Sequence, residues 1–164
     1  MRQPLIKLDY TPRTWQRECH IKKQRFSVYA LHRRSGKTEL AIMELIDKAM
    51  KTDKELAMFV YVAPFLRQAK AIAWARLKQK IEPMRRTSVI EINEGELSVR
   101  FKHNGAIIRL FGGDNPDAMR GLSPSIISGC SFIISIIESA IISDPTSRAR
   151  TKRSVNSLSL FNQL

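Results

Sequence analysis

At 164 residues the chain is one domain's worth of protein, long enough to bury a sizeable core and short for an enzyme that carries a second catalytic domain. Its 28 Lys and Arg against 15 Asp and Glu give a formal net charge of +13. That excess draws a protein to polyanions through long-range attraction and counterion release, unless a missing part of the chain carries compensating acids. Cys19 and Cys130, the two cysteines, share no Cys-x-x-Cys spacing, which excludes a disulfide scaffold and suits a reducing cytosol.

Residues 1–10 contain no apolar core of secretory length, so nothing marks the chain for export and a cytoplasmic location is expected. Residues 27–31, with Val28, Tyr29 and Leu31, read as a strand that feeds a glycine-containing loop. A helix is predicted over 38–49, where Leu40, Ala41, Leu45, Ile46 and Ala49 form an apolar stripe and Glu39, Glu44 and Lys48 face water. The alternation repeats: 57–63 is a compact apolar strand ended by Pro64, and 66–81 is helical in pattern, with Pro83 closing the run. Residues 96–101 and 106–111 form two strand-like runs joined at Asn104-Gly105, a hairpin signal. After the break at 112–116, residues 116–119 suit one helical turn. From Leu122 the composition turns to Ser and Ile. The apolar run 131–143 is interrupted by Glu138 and is shorter than a membrane span. Residues 146–164 carry Arg148, Arg150, Lys152 and Arg153 without an acid and read as a disordered basic tail.

The chemistry centres on Arg33-Arg34-Ser35-Gly36-Lys37-Thr38. A phosphate-binding loop works because consecutive backbone N–H groups and the positive end of the following helix converge on phosphate oxygens. Lys37 would add a point charge, Thr38 a hydroxyl for magnesium, and Gly36 a close approach of backbone to phosphate. The usual first glycine falls at Leu31, so the tripeptide alone is also compatible with a chance match in a basic turn. Strand before and helix after favour the loop. Guanidinium groups at Arg33 and Arg34 either stabilise charge on a transferred phosphoryl group in cis or are solvated or touch nucleic acid.

These residues resemble the N-terminal ATPase region of the large terminase subunit, the DNA-packaging motor of tailed bacteriophages. That family has arginine ahead of Gly-Lys-Thr and no obligatory first glycine, which Arg33 to Thr38 match. Pro12-Arg13-Thr14-Trp15-Gln16 resembles its adenine-recognition segment, where Gln16 would donate to and accept from the adenine edge; the alternative is an ordinary exposed amide. Residues 61–69 resemble its second strand, turn and helix, and 111–121 the segment before its second acidic motif. The likeness covers about residues 10–121. It implies an α/β fold, an incomplete phosphate-loop NTPase parallel sheet flanked by helices with a β-hairpin insertion. The implied domain spans 1–145 with a 146–164 tail.

The resemblance further implies ATP and Mg2+ as cofactors, with Arg33 and Lys37 catalytic, Gln16, Arg34, Ser35, Gly36, Lys37 and Thr38 binding nucleotide, and Thr38 reaching the metal through it. Its partners would be double-stranded DNA, the capsid portal, the small terminase subunit and other copies in a ring, with no membrane. The departure begins after Gly121. The family's apolar strand ends in Asp-Glu, whereas Ile126-Ile127 here runs into Ser128-Gly129, and Glu138 has no preceding Asp. A truncated or frameshifted gene that hydrolyses ATP negligibly is the expectation. A helicase-like translocase and a non-catalytic basic nucleic-acid binder with a vestigial loop are the competing readings. Trp74, amid basic residues, either stacks on nucleic acid or, as is commoner, packs half-buried on the sheet. His20, His32 and His103 read as isolated, and Asp114 and Asp117 as caps of a short turn rather than a metal pair.

Overall fold

The structure, a computed structural model, describes residues 8–24, 27–29, 31–32 and 34–129. Cys130, Glu138, the apolar run after it and the basic tail lie outside the described residues, as do Arg33 and Ala30. The helices are α1 (Thr14–Lys22), α2 (Lys37–Lys51), α3 (Leu66–Gln68) and α4 (Ala75–Arg86), the last two joined through a π-helical segment, Ala69–Trp74. The strands are β1 (Met58–Ala63), β2 (Ile90–Asn93), β3 (Ser98–Phe101), β4 (Ile107–Gly112) and β5 (Ile126–Gly129). They form one sheet of five in the order β2-β3-β4-β1-β5.

β1 runs parallel to both β4 and β5, pairing Phe59 with Ile108 on one side and with Ile126 on the other. β2, β3 and β4 are antiparallel, so the sheet is mixed and the expected hairpin supplies its antiparallel half. Five of the six β1 residues are buried, as a strand paired on both edges requires. The same face of the sheet receives α2 and the α3–α4 rod. Phe59, Tyr61, Ile108 and Leu110 share one core with Leu45 and Ile46 of α2 and with Ala73, Trp74, Leu77 and Ile81 of the rod.

Two side chains close this arrangement. Asn104, in the hairpin turn, donates from Nδ2 to the carbonyls of Ala49 (2.8 Å) and Thr52 (3.1 Å), satisfying acceptors at the C-terminal end of α2 that the helix leaves open. Asp114 accepts from the Leu66 backbone N–H at 3.1 Å and so caps α3, not the 3-10 turn Pro116–Met119. Asp117 instead pairs with Arg120 at 2.9 Å. At Gly112 a Cβ would stand 2.0 Å from Asp114 Oδ1 and 2.3 Å from the Leu66 nitrogen, so this close approach of chain segments requires glycine.

Four sequence expectations are corrected. Residues 27–29 and 31 form no strand: Val28 is exposed and the Tyr29 hydroxyl donates to the Cys19 carbonyl of α1 (3.2 Å), so β-propensity finds no face to bury. Pro83 does not close its helix, because Leu77, Ile81 and Met84 hold α4 on the core on both sides of it. Trp74 is not half-buried but 2 % exposed. Its indole N–H donates to Glu94 Oε2 at 2.6 Å, which leaves it no open face for nucleic acid. His20 is not isolated, as shown below. α1 and β2 were not foreseen.

Candidate phosphate site

The loop at 34–36 turns the chain into α2 with two residues in left-handed conformations, Arg34 at φ +63° and Gly36 at φ +99°. Such a turn brings successive N–H groups toward one point, and the first N–H groups of α2 have no partner within the helix. Gly36 is doubly constrained: a side chain there would also meet Gln16 Nε2 at 3.1 Å. Ser35 is 4 % exposed, and its Oγ is a buried polar atom without a hydrogen-bond partner. An orphaned hydroxyl inside a turn of converging N–H groups fits an oxyanion ligand, which would satisfy it. Thr38 follows as the second residue of α2.

Lys37 folds back on its own loop, donating from Nζ to the carbonyls of Leu31 (2.6 Å) and His32 (2.9 Å). The ammonium is thereby stored next to the loop. Arg34 is exposed and points to no acidic partner among the described residues.

Gln16 comes to the loop but not as a free amide. It is 3 % exposed; its Oε1 accepts from the Arg13 backbone N–H (2.9 Å) and its Nε2 donates to the Gly36 carbonyl (3.3 Å). Arg13 stands at the N-cap of α1 and Gln16 three residues on, so the Gln16 amide turns back to the N-cap N–H. Arg13 adds a bond from Nη1 to the Ser35 carbonyl at 3.4 Å. α1 is therefore strapped to the loop by both residues.

A second set of bonds straps the same segment to α2. The Tyr10 hydroxyl lies 3.1 Å from His20 Nε2, His20 Nδ1 lies 2.7 Å from Glu44 Oε2, and Lys23 Nζ reaches Glu44 Oε1 at 2.6 Å. Burial opposes ionisation of Glu44, but the hydrogen bonds and charges of Lys23 and His20 outweigh it and hold the carboxyl below the usual range. Burial, then the charges of Glu39 and Glu44, pushes the Tyr10 hydroxyl up to about 12. A depressed carboxyl contributes stability that is present above its unfolded value, 4.5, and is lost as pH falls through the folded one. Denaturation of wild type and Glu44→Gln should therefore differ most at neutral pH and converge in acid below 4.5; a constant gap across that range would remove the ionised carboxylate from this role.

β5 carries no carboxylate: Ser128 and Gly129 lie opposite Tyr61 and Val62 of β1. Glu39, the acid nearest the loop in sequence, is held by Lys80 at 2.9 Å. Among the described residues no three of His, Cys, Asp and Glu gather as a metal site, and no helix is long and apolar enough to cross a membrane.

No family model matches the chain, and no curated protein does. Solved structures do. The ATPase domain of the large terminase of Thermus phage P74-26 superposes with a TM-score of 0.68 at 22% identity, over 87% of this chain and 62% of that one. An arginine-to-alanine mutant of the same domain gives 0.68 at 21% identity over the same shares. The chain thus spans somewhat under two thirds of the domain it matches. Its α/β sheet with flanking helices is the fold of phage large-terminase ATPase domains.

Proposed function

We propose that this chain binds Mg2+·ATP at residues 34–38 and is the nucleotide-binding part of a terminase-like motor that packages double-stranded DNA into a capsid. The observation that carries the reading is the buried, unpartnered Ser35 hydroxyl inside a left-handed turn at the head of α2. The likeness in fold supports it. Ser35, Gly36 and the first N–H groups of α2 would hold phosphate oxygens, Lys37 would leave the Leu31 and His32 carbonyls for the terminal phosphates, and Thr38 would face the metal. Bound Mg2+ supplies charge neutralisation on the phosphates. Arg33 and Arg34 are the cations for charge developing on the transferred group. Gln16 reads adenine only by releasing the Gly36 carbonyl, which would couple base recognition to loop shape. The partners of the whole motor are double-stranded DNA, a portal, a small terminase subunit and further copies in a ring. Its place of work is the host cytoplasm.

Hydrolysis by this chain is proposed to be negligible. Turnover needs a group that positions water as well as a phosphate cradle, and β5 offers Ser128 and Gly129 where a carboxylate pair would serve. Steady-state phosphate release by the purified chain with duplex DNA present, and by the Lys37→Ala and Glu138→Ala variants, tests this. Release at buffer background with measurable ATP binding is expected. Robust turnover abolished in both variants would make Glu138 the water-positioning residue. The charge of +13 favours one other reading, a nucleic-acid binder with a vestigial loop. Duplex binding with no affinity for ATP selects that one.

A further inference from the structure

The start of the α3–α4 rod is a run of basic side chains outside the ion pairs that neutralise the rest of the rod. Residues 65–76 contain Arg67, Lys70 and Arg76 and no Asp or Glu. All three cations are exposed and none enters an ion pair or hydrogen bond among the described residues. The later basic residues of the rod are neutralised: Lys78 by Glu94 at 2.8 Å, Lys80 by Glu39, and Arg85 and Arg86 by Glu82 at 3.6 and 3.5 Å. Asp114, the acid at the head of the rod, is occupied by the Leu66 N–H. Phe65, Leu66 and Ile72 lie on the same stretch at 49, 46 and 52 % exposure.

The π-helical segment explains why the cations stay outside. Its extra residue per turn lets Ala69, Ala73 and Trp74 all reach the core while Lys70, Ala71 and Ile72 remain on the solvent side. Arg67 and Arg76 are then separated by roughly 13 Å along the rod at about 1.5 Å per residue. That is close to the width of a major groove, about 12 Å between its phosphate rails. The exposed alanines between them allow close approach.

We propose that Arg67, Lys70 and Arg76, with the apolar side chains among them, are a sequence-independent docking surface for the phosphate backbone of double-stranded DNA. This rests on DNA being a partner of the chain, as proposed above. Charge decides the occupant: three exposed cations with no acid among residues 65–76 attract a polyanion. The rod that carries the cations also packs beside the first turn of α2, since Arg76 shares a shallow cleft with Glu39 and Lys80.

The test is fluorescence anisotropy of a random-sequence duplex with the full chain from low to high salt. Wild type is compared with the triple variant Arg67→Ala, Lys70→Ala, Arg76→Ala and with a charge-matched control, Lys48→Ala, Lys54→Ala, Lys102→Ala, whose lysines are exposed and unpaired elsewhere. The rod variant should lose more than about tenfold in affinity and its log K against log salt slope should fall by about 2 to 3, at about 0.9 per phosphate contact. The control should lose less than about threefold. Equal losses in both variants overturn the proposal and leave binding to diffuse charge. An unchanged affinity with an altered sedimentation coefficient overturns it in favour of a protein interface. If wild type binds no duplex at all, the DNA reading itself falls. Circular dichroism on both variants verifies folding.

Discussion

Lys37→Ala is expected to weaken binding of Mg2+·ATP by about 10- to 100-fold while leaving the thermal midpoint of the free protein nearly unchanged. A hydrogen bond from a charged donor is worth about 1.5–3 kcal/mol, and one tenfold step in affinity is about 1.4 kcal/mol. The backbone cradle at Ser35 and Gly36 survives the substitution, so residual binding remains. The small cost to the free protein follows from the partners that Lys37 now has. The His32 carbonyl lies at the surface and that of Leu31 is only partly buried, so water can replace the ammonium. Titration calorimetry on both proteins is the direct comparison, and equal affinities would remove Lys37 from the proposed site. Loss of binding accompanied by a large fall in thermal midpoint would instead assign Lys37 to holding the loop.

Trp74→Ala is expected to cost about 3–5 kcal/mol, the range for deleting a buried large aromatic side chain. Trp74 is 2 % exposed between the rod and the sheet, and removing it opens a cavity and frees Glu94 from its 2.6 Å bond. Trp74→Phe keeps most of the volume and loses the indole donor, so its cost should be well under half as large. Urea denaturation followed by far-ultraviolet circular dichroism separates the two. A cost below about 1 kcal/mol for the alanine variant would deny Trp74 its place in the core. A large loss of duplex affinity in a folded Trp74→Phe protein would return it to the nucleic-acid surface.

The turn at 34–36 and the helix that follows it were legible because their signals are local. Gly36, Lys37 and Thr38 and the apolar stripe of α2 lie within a few turns of one another. The hairpin was equally legible, since Asn104-Gly105 acts within four residues. What stayed hidden depends on distant partners. Val28 and Tyr29 have strand propensity, yet the Tyr29 hydroxyl is drawn to α1. Pro83 reads as a stop, yet burial of Ile81 and Met84 carries α4 past it. β2 is only four residues long, and its alternation of Ile90 and Ile92 became meaningful once Phe101 and Val99 stood opposite. Gln16 was assigned by resemblance to a base, and its packing against Gly36 is a contact between residues 20 apart. No periodicity announces that. The Tyr10, His20, Glu44 and Lys23 network was hidden for the same reason.

The Asn104 amide at the far end of α2 gives that helix a mechanical character. Its head meets the phosphate loop, its foot is clasped to the hairpin, and its 15 residues bridge the two over roughly 22 Å at about 1.5 Å per residue. A helix is stiff along its axis, and a clasped foot cannot yield. The antiparallel half of the sheet is thereby tied, through one helix, to the turn at 34–36 on the opposite end.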